Sequence, residues 1–159
     1  MQIKHGRIRI LLGLLFCFMA CKDDALLDES LPIANQKWEY TYKPAFTVRI
    51  SDISKPYNLY LHLRHTAAYK YSNLYLVVHQ QYPNGRKTSI RIELKLAETD
   101  GRWLGKGSGN LYSRQVCFAN AYHFPDEGNY VFSVEQNMRE NPLAEIQDVG
   151  LRVTPHTGH

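Results

Sequence analysis

His62 and His65 form an H-x-x-H pattern, and His79 could reach them from a neighbouring strand, so these three are the first residues to weigh for metal chemistry. On a strand, however, residues three apart point to opposite faces. No Cys, Asp or Glu is placed to complete a tetrahedral set, so no metal is expected and the three read as solvent-facing or cross-strand histidines. Gly105-Lys106-Gly107-Ser108-Gly109 has the glycine density of a phosphate loop. A phosphate loop needs its Lys followed by Ser or Thr and then a helix N-terminus, whereas here Gly107 follows Lys106 and the chain runs on toward a strand. The run is expected to be a sharply bent strand or bulge. Ser108 lacks the G-x-S-x-G elbow of a serine hydrolase. No catalytic residue and no cofactor follow from these patterns.

The cysteines carry more. Lys4, Arg7 and Arg9 precede an apolar run from Ile10 to Met19, then small Ala20 and Cys21. This is the layout of a cleaved signal peptide, residues 1–20, and its ten apolar residues span only ~15 Å as a helix, too little to cross a bilayer. Phe18-Met19-Ala20-Cys21 resembles the lipobox of bacterial lipoproteins, with Phe18 in place of the usual Leu. That resemblance implies cleavage between Ala20 and Cys21 and a membrane anchor through lipid on Cys21. Cys17 leaves with the signal, so Cys117 is the one remaining thiol and no intramolecular disulfide can form. Between Val116 and Phe118 it reads as a small buried hydrophobe.

Three of the nineteen Lys and Arg belong to the signal and none of the fifteen Asp and Glu do, so the formal charge of +4 falls to +1 after cleavage. Nothing in that balance points to nucleic acid. The elements that must position the remaining side chains are strands. Phe46, Val48 and Ile50 alternate, as do Tyr57, Leu59, Leu61 and Leu63, and Ile90, Ile92, Leu94 and Leu96 alternate with Arg91, Glu93 and Lys95. Period two marks strands with one buried face. Asn84-Gly85 predicts a two-residue hairpin turn that pairs Leu74–Tyr82 with Thr88–Ala97. Residues 21–35, acidic at Asp23, Asp24, Asp28 and Glu29, read as a flexible tether. The expectation is a single all-β domain over 36–155, an antiparallel sandwich of seven or eight strands, with a frayed tail at 156–159 and a helical turn, if anywhere, at Asn141–Ile146.

Further blocks carry a family likeness. Pro56-Tyr57-Asn58-Leu59-Tyr60-Leu61, Tyr71-Ser72-Asn73-Leu74-Tyr75-Leu76 and Asp100-Gly101-Arg102-Trp103-Leu104-Gly105-Lys106-Gly107 resemble, in order, blocks of the gliding-motility lipoprotein family H, GldH. Glu135-Gln136, Met138-Arg139 and Asp148-Val149-Gly150-Leu151-Arg152 are similar to its last segment. The resemblance covers residues 38 to 153. It implies an envelope lipoprotein linked to surface gliding and type IX secretion, with motility or secretion proteins and other envelope lipoproteins as partners, and with no catalytic activity or cofactor. It also implies outer-membrane attachment. Lys22-Asp23-Asp24 resembles the charged signal that exports some lipoproteins to the cell surface, and it reads equally as an acidic tether, which leaves the periplasmic and surface leaflets both open.

The function expected is binding without catalysis, with Arg102, Trp103, Glu135, Gln136, Arg139, Asp148 and Arg152 as candidate interface residues. For the charged ones, ion pairs within the core are the competing reading. A lipid-anchored carbohydrate-binding module is the alternative, to be decided by whether Trp and Tyr side chains line one open face.

Overall fold

The computed structural model describes residues 24–157. They form eleven strands: β1 (Leu27–Pro32), β2 (Lys37–Trp38), β3 (Ala45–Ile50), β4 (Tyr57–Thr66), β5 (Asn73–Gln81), β6 (Lys87–Lys95), β7 (Lys106–Ser108), β8 (Leu111–Tyr122), β9 (Gly128–Gln136), β10 (Leu143–Ala144) and β11 (Ile146–Pro155). A five-stranded sheet has the order β1-β11-β4-β8-β7 and a four-stranded sheet the order β3-β9-β5-β6, while β2 and β10 make a short separate pair. All pairings are antiparallel. The all-β sandwich is as expected, with more strands than seven or eight, the excess including the two-residue strands β2 and β10.

The alternating side chains meet between the sheets. Phe46, Val48, Leu74, Leu76, Phe132 and Val134 come from one sheet, Leu59, Leu61, Leu63, Val149, Leu151 and Val153 from the other, all buried. Along β6 and the residue that follows it the alternation holds but the burial fades: Leu96 and Leu94 are buried, Ile92 half so, and Ile90 is 47% exposed. This edge strand runs past the cover of the opposing sheet. Ile90 there borders a cleft of about 280 Å³ that also touches Phe118 and Tyr122 of β8.

Several expectations are corrected. Leu27–Pro32, read as tether, is a strand registered along β11 from Leu27↔Val153 to Pro32↔Asp148. Its sequence hides this because an edge strand half-buries only Leu27 and Leu31, and its acidic Asp28 sits directly across from Arg152. The globular domain thus begins at β1 rather than at residue 36. Gly150 lets β1 come close, since a Cβ there would lie 2.6 Å from the Glu29 carbonyl oxygen. The hairpin between β5 and β6 forms as expected, but its loop is Pro83-Asn84-Gly85. Tyr82 N–H donates to Arg86 O at 2.8 Å, and within the loop the positive φ falls on Gly85, at +83°. Pro83 has no N–H for a ladder position, so it takes the first corner of a type I turn and Gly85 supplies the bulge.

No helical turn forms at Asn141–Ile146. Leu143 instead pairs with Trp38, and both side chains are buried. Among the described residues the one helical turn is the short 3-10 segment Ala34–Gln36. Cys117 is exposed, because Val116 and Phe118 both pack against the core and strand alternation turns the residue between them outward. The glycine-rich run is β7 followed by a tight turn into β8, with Gly109 at φ +59°. His156 is tied rather than frayed: its N–H donates to Pro56 O at 2.9 Å. Residues 1–23, including Ala20, Cys21, Lys22 and Asp23, lie outside the described residues, as do 158 and 159.

Candidate interaction surface

The topology gives the sandwich two distinct ends. Leu27 of β1 pairs beside Val153 of β11, which pairs with Leu59 near the start of β4, and Tyr57 there pairs with Tyr122 and Pro155. The chain coming from Cys21 therefore joins the domain at this end. The ten residues of β4 run about 30 Å to the opposite end, where Thr66 leads through a short connection into β5.

At that distal end the Asp100–Gly105 loop folds over the end of β4. His65 is fully buried there, with its ring centroid 4.6 Å from that of Trp103, 5.5 Å from Tyr69 and 5.8 Å from Tyr112. His65 Nδ1 lies 2.9 Å from the Thr66 carbonyl, and Nε2 has no hydrogen-bond partner. Burial holds this imidazole below its ordinary pKa of 6.5. The expectation of a solvent-facing or cross-strand histidine fails here, since the ring forms the centre of an aromatic cluster. His62 points to the other face, as the H-x-x-H spacing on a strand requires, and lies 3.8 Å from Asp28.

The aromatic contacts continue outward. Tyr69 meets Tyr71 edge-on at 5.7 Å, and Tyr71 borders a cleft of about 430 Å³ with Tyr75, Arg91, Asn137, Met138 and Arg139. This cleft lies at the distal part of the outer face of the four-stranded sheet. The strands fix it closely: Asn137 N–H donates to Tyr75 O at 2.8 Å, and Tyr75 N–H lies 3.3 Å from the Met138 sulfur. The Arg91 guanidinium sits 4.7 Å from the centre of the Tyr75 ring. Glu140 accepts hydrogen bonds from Tyr71 Oη at 2.8 Å and Lys70 Nζ at 3.1 Å, which hold its carboxyl below the ordinary range.

Toward the anchor end of the same face stands a group that the sequence did not disclose. Ser89 Oγ is 2.8 Å from His79 Nδ1, and His79 Nε2 is 2.9 Å from Glu135 Oε2. The order Ser–His–acid is that of a catalytic triad. Ser89 and His79 are direct cross-strand partners, and Glu135 lies on the adjacent strand β9, so the sheet register alone brings the three together. Glu135 is also bound by Lys43 at 2.6 Å, and the hydrogen bonds from Lys43 and His79 lower its pKa. Ser89 is an exposed strand residue rather than the tip of an elbow. The group is best described as a charged hydrogen-bond chain across the sheet surface.

The seven residues singled out by the family likeness separate into different settings. Gln136 is buried, its amide nitrogen donating to Glu140 O at 3.0 Å and its oxygen accepting from Met138 N–H at 2.9 Å. Asp148 is buried and accepts from Arg64 Nε at 2.7 Å. Arg152 pairs with Asp28 across β11 and β1. The polar atoms of these three are engaged within the fold. Trp103 is half-buried in the His65 cluster, and Arg102 beside it is exposed, 3.9 Å from Asp100. Glu135 and Arg139 lie on the outer face of the four-stranded sheet. Trp38, the second tryptophan, is wholly buried and donates to Tyr42 O. Neither tryptophan lines an open sheet face, and Tyr71 and Tyr75 are the rings at the open cleft. Among the described residues no group of three or more His, Cys, Asp or Glu gathers as for a metal.

An antiparallel β-sandwich that displays an aromatic and cationic surface on one sheet is the class of protein that these features define. The chain belongs to the GldH lipoprotein family, whose model matches residues 25–153. It is 29% identical over 143 residues to a protein of Christiangramia forsetii named gliding motility lipoprotein GldH homolog, covering 86% of this chain and 87% of that one. It is 27% identical over 160 residues to the gliding motility lipoprotein GldH of Flavobacterium johnsoniae, covering 96% and 98%. Among solved structures, an arabinose-bound α-L-arabinofuranosidase aligns at 14% identity and a TM-score of 0.39, over 82% of this chain and 20% of the enzyme's. No helix among the described residues is long and apolar enough to cross a membrane.

Proposed function

We propose that this protein is a non-catalytic lipoprotein of the outer membrane that serves the gliding-motility and type IX secretion machinery by docking a partner envelope protein. Membership of a family whose relatives are named gliding motility lipoproteins is the observation that carries this reading. Lipid on Cys21 would fix the domain to one leaflet, and acyl burial worth ~0.8 kcal/mol per CH₂ makes attachment through two or three chains effectively permanent. The aromatic and cationic face of the four-stranded sheet is the surface best suited to a partner. Lys22-Asp23-Asp24 would help choose the leaflet.

Deletion of the gene and complementation test the reading. Wild-type protein should restore gliding or type IX secretion, and its mature mass should begin at Cys21 with added acyl mass. Cys21→Ser should leave the domain folded but unable to restore either process. A deletion strain that glides and secretes normally would overturn the assignment. Specific polysaccharide binding in that setting would favour the carbohydrate-binding alternative.

A further inference from the structure

Four carboxylates on and beside the outer face of the four-stranded sheet are engaged within the fold. Glu93 accepts from Asn73 at 2.7 Å, Glu98 from Lys95 at 2.5 Å, Glu135 from Lys43 and His79, and Glu140 from Lys70 and Tyr71. Arg91 and Arg139, which flank the distal cleft, have no carboxylate partner among the described residues. Arg91 has its guanidinium carbon 4.7 Å from the centre of the Tyr75 ring, and its N–H edge makes no hydrogen bond to another described residue. That edge has the fork geometry that matches a carboxylate. Met138, Tyr71 and Tyr75 supply apolar surface to the same cleft. The occupant that complements this cleft carries carboxylates next to an apolar or aromatic side chain.

The position of the cleft decides between sources of such a group. Six residue steps from Cys21 to Leu27 span at most about 20 Å, and they reach the domain at its other end. The cleft lies some 20 Å farther along the strands, on the outer face of the sheet and toward the end opposite the one where the chain enters. A headgroup of the anchoring leaflet is therefore a poor fit.

We infer that this distal cleft, bounded by Tyr71, Tyr75, Arg91, Met138 and Arg139, docks an acidic segment of a partner protein, its carboxylates on the two guanidiniums and its apolar side chain on the tyrosine and methionine floor. This rests on the protein-docking role proposed above and assigns it a site and a ligand chemistry. The two cations act together, so neutralising both removes the charge-assisted bonds while the sheet that carries them stays intact.

The test uses the full-length lipidated protein in detergent micelles with a fluorescent heptapeptide alternating Glu and Leu, and the matching Gln–Leu peptide as control. The Glu peptide is expected to bind, more weakly as salt rises, and the double variant Arg91→Gln/Arg139→Gln should lose about tenfold or more in affinity with an unchanged melting temperature. Equal binding of the Gln peptide, or wild-type affinity of the double variant, would overturn the inference. So would tighter binding of polygalacturonate than of the Glu peptide, which would place an acidic glycan in the cleft. In cells, a deletion defect that the double variant cannot repair supports the site. A deletion defect that it repairs fully sinks the site and leaves the family-based function standing, whereas absence of any deletion defect sinks the function itself.

Discussion

The outer faces of the two sheets carry similar kinds of residue and use them differently. On the five-stranded sheet, Arg152 meets Asp28 directly across β11 and β1, His62 stands 3.8 Å away, and Arg64 binds the buried carboxylate of Asp148. These cations and acids bond to each other across neighbouring strands. On the four-stranded sheet Glu93 and Glu135 are likewise engaged, but Arg91 and Arg139 are left over, beside the half-buried rings of Tyr71 and Tyr75. Charge count is the same kind of information in both places. What distinguishes structure from binding surface is whether the partner of each charge lies within the chain.

The largest expected contrast is between Asp148 and Arg139. Asp148→Ala would strip the buried anchor of Arg64 and should cost about 2–3 kcal/mol, a figure moderated because half of the Arg64 side chain is in water. Arg139→Gln should stay within about 0.5 kcal/mol, as surface changes do. Urea titrations of the two variants measure both. Comparable losses would mean that Arg139 is a structural residue, and the distinction between the faces would collapse.

Gly150→Ala sharpens the comparison at the β1 edge. A methyl group there meets the Glu29 carbonyl and the Ser30 hydroxyl, so β1 must move, at an expected cost of about 1–2 kcal/mol. Hydrogen exchange should show the 27–32 amides losing protection while β5 and β9 keep theirs. Unchanged protection throughout would argue that β1 contributes nothing to the five-stranded sheet and that its acids act as a tether after all.

The smallest effect is expected from pH at the distal cluster. The His65 imidazole titrates below its ordinary value in the fold because burial disfavours its charged form. As pH falls, the unfolded chain takes up this proton first, so the contribution is complete above about 6.5 and is lost as pH drops through that value. Wild-type protein should therefore lose more melting temperature between pH 7.5 and 5.5 than His65→Phe. His62, also lowered chiefly by burial, is present in both and cancels. Equal slopes would show that the cluster admits water or a counter-charge.

The alternation in β3, β4 and β5 made the sandwich legible from the sequence, because a strand buried on one face must repeat apolar residues every second position. The β5–β6 hairpin was legible for the same reason, though Pro83 shifted the turn by a residue. Edge positions were not. β1 shows little pattern, since an edge strand needs only two half-buried leucines and backbone pairing, and Ile90 keeps the pattern of a core residue where the opposing sheet no longer covers it.

The sequence by itself determined the signal layout at 1–20, the lipobox-like Phe18-Met19-Ala20-Cys21, the all-β class and the family likeness, because these are local patterns or ordered motifs. Only the tertiary structure decided which charges face one another. It paired Asp28 with Arg152 and Asp148 with Arg64 from strands far apart in the chain, enclosed His65 among Tyr69, Trp103 and Tyr112, and left Arg91 and Arg139 beside Tyr75 at the distal end. Such neighbours are set by strand register and by the crossing between sheets, and no spacing along the chain records either one.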